Sequence, residues 1–88
     1  MITHIVKRDG RLALFNTQKI ADAIYKSAQS IGGSNFQEAE RLSLLVYNTA
    51  EKIYGDNVPT VEQIQDIVEK VLIEQGHAKT SKAYILYR

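Results

Sequence analysis

Apolar residues recur along most of this 88-residue chain at the three- and four-residue spacing of amphipathic helices. The spacing predicts four helices, which begin at Asn16 or Thr17, at Ser34 or Asn35, at Thr60, and at Ala78 or Thr80. Side chains that can cap a helix stand at the first three starts, and Thr60 has the capping-box spacing to Gln63. Glycines end these three helices, at Gly32-Gly33, Gly55 and Gly76.

The apolar stripes of the first three helices define the predicted core. They comprise Ile20, Ile24, Ala28 and Ile31, then Phe36, Ala39, Leu42, Leu45, Val46, Ala50 and Ile53, and finally Ile64, Ile67, Val68, Val71 and Leu72. One stripe per helix is typical of helices that pack together on one face and meet water on the other. The fourth helix is still apolar at Ile85 and Leu86 when the chain stops at Arg88. We therefore expect residues 1–88 to be a single domain cut from a longer chain within its last helix.

The residues before the first helix follow the two-residue period of strands, with an Asp9-Gly10 pair between two short runs. This pair predicts a type I′ hairpin turn, which needs positive φ at both central positions. That turn would pair Arg8 with Arg11, Lys7 with Leu12, Val6 with Ala13, and Ile5 with Leu14. Both faces would then mix apolar and basic side chains, which favours core on one side and ligand on the other. The predicted fold class is α+β, an N-terminal hairpin followed by four helices.

Composition excludes several classes of function. A net charge of +1 argues against a nucleic-acid module that works by bulk phosphate neutralisation. The chain has no cysteine, which excludes disulfides, thiolate metal sites and cysteine chemistry. The sequence carries no signal peptide, membrane span or lipidation motif, so we expect no membrane association and a cytoplasmic location.

The candidate chemistry lies in residues 6–20. Lys7, Arg8 and Lys19 fall within one hairpin and one helical turn, and a phosphate group needs such converging charge together with free N–H groups at a helix start. Neighbouring apolar residues would wall a slot for adenine, and the Asn16 amide would bond to the edge of the base.

The same residues have an alternative interpretation. Lys-Arg-Asp-Gly-Arg is also typical of a solvated hairpin tip whose charges prevent edge pairing. Asn16 would then only cap the helix, Lys19 would be an exposed helix residue, and Phe15 would belong to the core. No phosphate-binding glycine loop and no nucleophile with a base stand out, so nothing in the sequence supports catalysis.

Four segments of the chain, in register, resemble the ATP-cone domain, the nucleotide-sensing module at the N-terminus of many ribonucleotide reductases. They are Val-Lys-Arg-Asp-Gly at 6–10, Phe-Asn-x-x-Lys-Ile at 15–20, Thr-Val-Glu-Gln-Ile-Gln-Asp-Ile-Val-Glu at 60–69, and Ala-Tyr-Ile-Leu-Tyr-Arg at 83–88. The resemblance covers essentially all of residues 3–88. It implies a β-hairpin that caps a small four-helix bundle, with ATP or dATP bound between the hairpin and the first helices.

The resemblance also implies roles for single residues. The implied contacts are Lys7, Arg8 and Lys19 to the phosphates, Val6, Phe15 and Ile20 to the adenine, and Asn16 with backbone groups near Leu14 and Phe15 to the edge of the base. Mg²⁺ would accompany the phosphates without a dedicated protein site. The second strand lacks the acidic residue frequent in the family. A further basic residue of the last helix often joins the phosphates in such domains, and because that helix ends here at Arg88, part of the site would be missing.

Such a domain would be an allosteric switch and not itself an enzyme. ATP would leave an attached reductase, anaerobic or cobalamin-dependent, active, and dATP would shift it to an inactive state, often by a change of oligomer through the cone. The module also occurs in a zinc-containing transcriptional repressor of reductase genes, but the cysteine ribbon that precedes the cone there is missing. Two further alternatives stay open: a helical interaction module that binds no nucleotide, and a weak nucleic-acid binder that uses Lys7, Arg8 and Arg11.

Overall fold

A computed structural model describes all 88 residues as a two-stranded hairpin followed by four helices. The elements are β1 (His4–Val6), β2 (Leu12–Leu14), α1 (Thr17–Gln29), α2 (Phe36–Tyr54), α3 (Val61–Glu74) and α4 (Ala78–Tyr87). Both α1 and α3 pack against α2 and α4, so the helices form a closed four-membered bundle. The α+β class and the order of elements are therefore as the sequence predicted.

Local capping sets the starts of the helices. Asn16 accepts hydrogen bonds from the N–H groups of Gln18 and Lys19, and Asn35 accepts one from Glu38. Thr60 begins α3 with the full capping box that its spacing to Gln63 predicted. These side chains satisfy N–H groups that a helix cannot bond internally, which is why the predicted starts are accurate.

The core lies where the apolar stripes of the helices meet. Its central side chains are fully or almost fully buried: Ile24, Val46, Val68 and Leu72. The prediction was wrong at the ends of two stripes. Ile31 lies beyond the end of α1 and is 48% exposed, and Ile53 in the last turn of α2 is 53% exposed. Ile31 thus lies past the end of its helix, and Ile53 lies on the solvent side of α2, although the next residue, Tyr54, still packs against the core.

The predicted hairpin register was wrong by one residue. Ile5 pairs with Ala13 and Val6 with Leu12. The Gly10 N–H donates to the Lys7 carbonyl at 2.9 Å, and Gly10 alone at the turn has positive φ, +87°. This is a three-residue connection in which a tight turn is followed by a left-handed glycine, not a two-residue type I′ turn. A shift of one residue turns one strand over relative to the other, so Ile5 shares a face with Ala13 instead of Leu14.

The hairpin is attached to the bundle by backbone contacts. The Val6 N–H donates to the Pro59 carbonyl at 2.9 Å, and Val6 forms a parallel β-bridge with Thr60 at the start of α3. Near the N-terminus, Ile2 is buried and its N–H donates to Glu51 Oε1 at 2.8 Å. The hairpin therefore lies across the bundle beside α3, as a cap.

A polar cluster joins the connection between α3 and α4 to the first turn of α2. Arg41 donates from two nitrogens to both carboxylate oxygens of Glu38 at 2.7 Å, and His77 Nε2 lies 2.8 Å from Glu38 Oε2. The hydrogen bonds from Arg41, followed by the one from His77, lower the pKa of Glu38 from its ordinary 4.5 to about 2. The cluster thus stabilises the ionised carboxylate in the folded state.

This lowered pKa predicts a pH dependence of stability. The Glu38 contribution should be complete above the unfolded-state pKa of 4.5 and lost as the pH falls from there to about 2, because the carboxylate must then take up a proton. We expect the difference in unfolding free energy between wild type and Glu38→Gln to be largest at neutral pH and to shrink in acid. Urea denaturation between about pH 7 and pH 2.5 measures it, and a difference that does not vary with pH would contradict the prediction.

Candidate functional site

A pocket of about 280 Å³ lies between the hairpin, the first turns of α1 and α3, and the end of α4. Its apolar lining includes Ile5, Ala13, Ile20, Ala23 and Ile64. Because the observed register places Ala13 opposite Ile5, a small side chain lies where the predicted register would put a leucine. The corrected hairpin therefore leaves open space over α1 and α3.

Six of the eight predicted site residues line this pocket: Lys7, Leu14, Phe15, Asn16, Lys19 and Ile20. Val6 does not, because it lies on the opposite face of β1 and pairs with exposed Leu12. Arg8 lines an adjoining depression at the hairpin turn, and its Nε lies 3.0 Å from Glu62 Oε1. Most of the predicted site residues therefore lie around one pocket. That any of them binds a nucleotide stays a prediction.

Asn16 and Phe15 each have a structural contact as well as a place in the pocket. The Asn16 carbonyl oxygen caps α1, whereas its amide nitrogen makes no hydrogen bond within the chain. The Phe15 ring packs edge to face against Tyr47, with 5.3 Å between the ring centroids. Asn16 therefore retains two free N–H donors at the pocket, and the Phe15 ring is held in place from the core side.

Charges at the pocket divide into paired and unpaired groups. Arg88 at the end of α4 lines the pocket and forms ion pairs with Asp66, at 3.2 Å, and with Glu69. Lys7 and Lys19 also line it and have no carboxylate within ion-pair distance. The two lysines are thus the positive charges of the pocket that are left without a partner in the protein.

Residues of α3 and α4 complete the pocket and were absent from the predicted set. They are Val61, Ile64, Gln65, Tyr84, Tyr87 and Arg88. Tyr84 is buried, and this burial raises the pKa of its hydroxyl to about 12. The aromatic pair Tyr84 and Tyr87 was a visible signal in the sequence, but only the packing of α4 against α1 brings it to this pocket.

Gln65 carries an unsatisfied polar atom. Its side-chain oxygen is buried and accepts no hydrogen bond, although Gln65 lines both the pocket and the adjoining depression. A buried acceptor without a donor costs about 1–3 kcal/mol. This oxygen is therefore placed to accept a hydrogen bond from a bound molecule with an N–H or O–H group.

No group of three or more His, Asp or Glu side chains lies together in the arrangement that holds a metal ion. None of the helices combines the length and the apolar character needed to cross a membrane.

Comparison with known families identifies the fold. A family model described as the ATP cone domain matches residues 3–88. The chain belongs to the ATP-cone family. The resemblance inferred from the four sequence segments is thereby confirmed.

Known proteins that contain a similar cone are ribonucleotide reductases of several types. The cone is 38% identical over 93 residues to a vitamin B12-dependent ribonucleoside-diphosphate reductase of Thermoplasma acidophilum, a match that covers 100% of this chain and 12% of that protein. It is 36% identical to the ribonucleoside-diphosphate reductase subunit alpha of Chlamydia pneumoniae, over 99% of this chain and 9% of that one. An anaerobic ribonucleoside-triphosphate reductase of Escherichia coli is 28% identical over 100% of this chain and 12% of its own length.

These matches define what the chain contains. It spans about an eighth or less of the reductases that it matches. The chain is the ATP-cone region, and the catalytic part of those reductases is absent from it.

Proposed function

We propose that this ATP-cone domain binds ATP or dATP in the hairpin pocket and thereby regulates the activity of a ribonucleotide reductase to which it belongs. The observation that carries the proposal is a single pocket with an apolar lining and two unpaired lysines, Lys7 and Lys19. An apolar slot suits the purine, and the lysines suit the polyphosphate. The family match and the reductase relatives support the same ligand class.

Within the pocket we assign the two ends to different parts of the ligand. Phe15 and Ile20 wall the base, backbone groups near Leu14 and Phe15 contact its edge, and the free Asn16 amide donates to a ring nitrogen of adenine. Lys7 and Lys19 bind the phosphates, and Mg²⁺ accompanies them through phosphate oxygens and water. The absence of a clustered metal site in the protein is compatible with that mode of binding.

Arg8, Gln65 and Arg88 extend this assignment. Arg8 reaches the phosphates once it leaves Glu62, which is an exposed ion pair of small energy. The Gln65 oxygen accepts a hydrogen bond from the ligand, since it has no donor in the protein. Arg88 lies at the same pocket, so its pairs with Asp66 and Glu69 compete with the ligand for its charge.

Regulation requires a coupling between this pocket and the attached reductase. ATP and dATP differ only by the ribose 2′-hydroxyl, and each can shift an equilibrium only through its different affinity for the two states. Couplings of this kind are typically ~1–3 kcal/mol. The partner is the remainder of a reductase chain, because the relatives carry the cone as about an eighth of their length. Self-association through the cone is a second way to couple nucleotide binding to the activity of the reductase.

Calorimetric titration of the 88-residue chain with ATP, dATP and GTP, each with Mg²⁺, tests the proposal. We expect ATP and dATP to bind and GTP to bind at least about tenfold more weakly, because the Asn16 amide presents donors where guanine also has a donor. Equal binding of all three would contradict the assigned base contact. Failure of every nucleotide to bind a chain shown to be folded by circular dichroism would contradict nucleotide binding itself.

A further inference from the structure

The largest cavity of the domain adjoins the hairpin pocket at Tyr87 and extends along the other side of α4. It is a groove of about 600 Å³ between the end of α1 and the outer side of α4, called the α1/α4 groove below. Its apolar residues are Ile31, Ala83, Leu86 and Tyr87. Leu86 is 87% exposed, and Ile31 and Tyr87 are about half exposed. Large apolar side chains gathered in this way around a groove are typical of an interaction surface.

The charges around the groove all have one sign. Lys26, Lys79 and Lys82 line it, and no aspartate or glutamate does. None of these lysines forms an ion pair, whereas each of the four arginines of the chain has a carboxylate partner. The groove therefore presents three uncompensated positive charges around an apolar floor.

The same surface continues on the other side of α4. A depression there contains Ile73, Ala78 and Ile85 and shares Lys79 and Lys82 with the groove. It also has no acidic residue in its lining. Since α4 has no acidic residue at all, its outer face is consistently apolar and basic.

We propose that the α1/α4 groove binds an amphipathic helix of a partner protein, with an apolar stripe bordered by aspartates or glutamates. A helix in a groove inserts apolar side chains at positions i, i+3, i+4 and i+7, and these would cover Ile31 and Leu86. Its carboxylates would lie near Lys26, Lys79 and Lys82. The three lysines favour a negatively charged partner, and the exposed apolar floor favours a partner helix that also carries an apolar stripe.

A nucleic acid fits the groove less well. A phosphate backbone would satisfy the lysines but would leave the aliphatic floor without a matching surface, and Tyr87 is the only aromatic residue there on which a base could stack. The near-neutral net charge of +1 also provides little long-range attraction for a polyanion.

A labelled synthetic peptide tests this assignment without nucleotide, so the result does not depend on the proposed function of the other pocket. The probe has about 14 residues, ~21 Å as a helix, with leucines along one face and glutamates beside them. Fluorescence anisotropy should show binding to the 88-residue chain at about 10–100 μM. Two control peptides should bind at least about tenfold more weakly: one with lysines for glutamates, and one with the same residues in scrambled order.

Variants of the chain locate the binding. We expect the binding of the acidic peptide to become about tenfold weaker in the double variant Lys79→Glu with Lys82→Glu, and separately in Leu86→Ser. Matched controls are Lys52→Glu with Lys70→Glu, and Ile53→Ser, which change exposed residues of the same kind outside the groove.

Four results would overturn the proposal. They are no peptide binding up to about 1 mM, equal binding of the scrambled peptide, equal losses in the control variants, or displacement of the peptide by a single-stranded oligonucleotide that binds more tightly. Circular dichroism confirms that each variant is folded, and the high exposure of Leu86 makes its replacement safe for the fold.

Discussion

Replacing Lys7 and Lys19 together by alanine is expected to weaken ATP binding by about a hundredfold or more. A hydrogen bond between a charged group and its partner contributes about 1.5–3 kcal/mol, and each lysine offers one such contact to the polyphosphate. Each single variant should therefore lose roughly tenfold or more, at 1.4 kcal/mol per factor of ten. Calorimetry with ATP and Mg²⁺ measures both the single and the double variants.

The structure makes this a test of binding rather than of folding. Both lysines are exposed, so their truncation removes no ion pair and no side-chain hydrogen bond of the folded chain. A matched double variant, Lys52→Ala with Lys70→Ala, removes the same charge at exposed positions of α2 and α3 away from the pocket. Equal affinities for the two double variants would exclude a phosphate site at Lys7 and Lys19, because only a general loss of charge would then remain.

The parts of the fold that the sequence predicted correctly depend on short-range chemistry. Asn16, Asn35 and Thr60 begin helices because their side chains bond to N–H groups two or three residues later. Gly55 and Gly76 follow helices with positive φ, which other residues adopt at a cost. Interactions of this kind are fully contained in a few neighbouring residues, so no knowledge of the tertiary structure was needed.

The hairpin register could not be decided in the same way. A type I′ turn and a tight turn followed by a left-handed glycine both place Gly10 at positive φ, and both suit Asp-Gly. In the structure, Asp9 instead accepts hydrogen bonds from the Arg11 backbone N–H and from its guanidinium, at 3.1 and 2.6 Å. The contact between Val6 and Pro59 also fixes the position of β1. That contact lies more than fifty residues along the chain and leaves no local pattern.

The candidate site also contains residues that local sequence reveals and residues that only the tertiary packing brings there. Lys7, Asn16 and Lys19 lie within one hairpin and one helical turn, so a convergent basic cluster was visible in residues 6–20. Gln65 and Arg88 were not, because their places at the pocket depend on how α3 and α4 pack within the bundle. Arg8 was expected among the phosphate contacts, but an ion pair with Glu62, distant in the sequence, places it at the adjoining depression. The sequence reveals which residues are chemically suited to a ligand, and the packing decides which of them meet.

The largest effect on stability is expected from Leu72→Ala. Leu72 is fully buried in the last turn of α3, in the core shared by the helices. Truncation of a buried leucine to alanine costs about 2–5 kcal/mol, through lost transfer energy and the cavity left behind. A chain of 88 residues has a total stability of roughly 4–13 kcal/mol. Urea denaturation followed by circular dichroism should therefore show a large fall in the midpoint.

Leu44→Ala is the matched control, because the same side chain is removed from a helix position that is 57% exposed. We expect it to change the unfolding free energy by less than about 0.5 kcal/mol. Comparable losses for the two leucines would contradict the packing of α3 described above.

The comparison also bears on the site, because α3 carries Ile64 and Gln65 at the pocket and Leu72 in the core. If the pocket depends on a rigid α3, Leu72→Ala should lower ATP affinity even under conditions in which the chain remains folded, whereas Leu44→Ala should not.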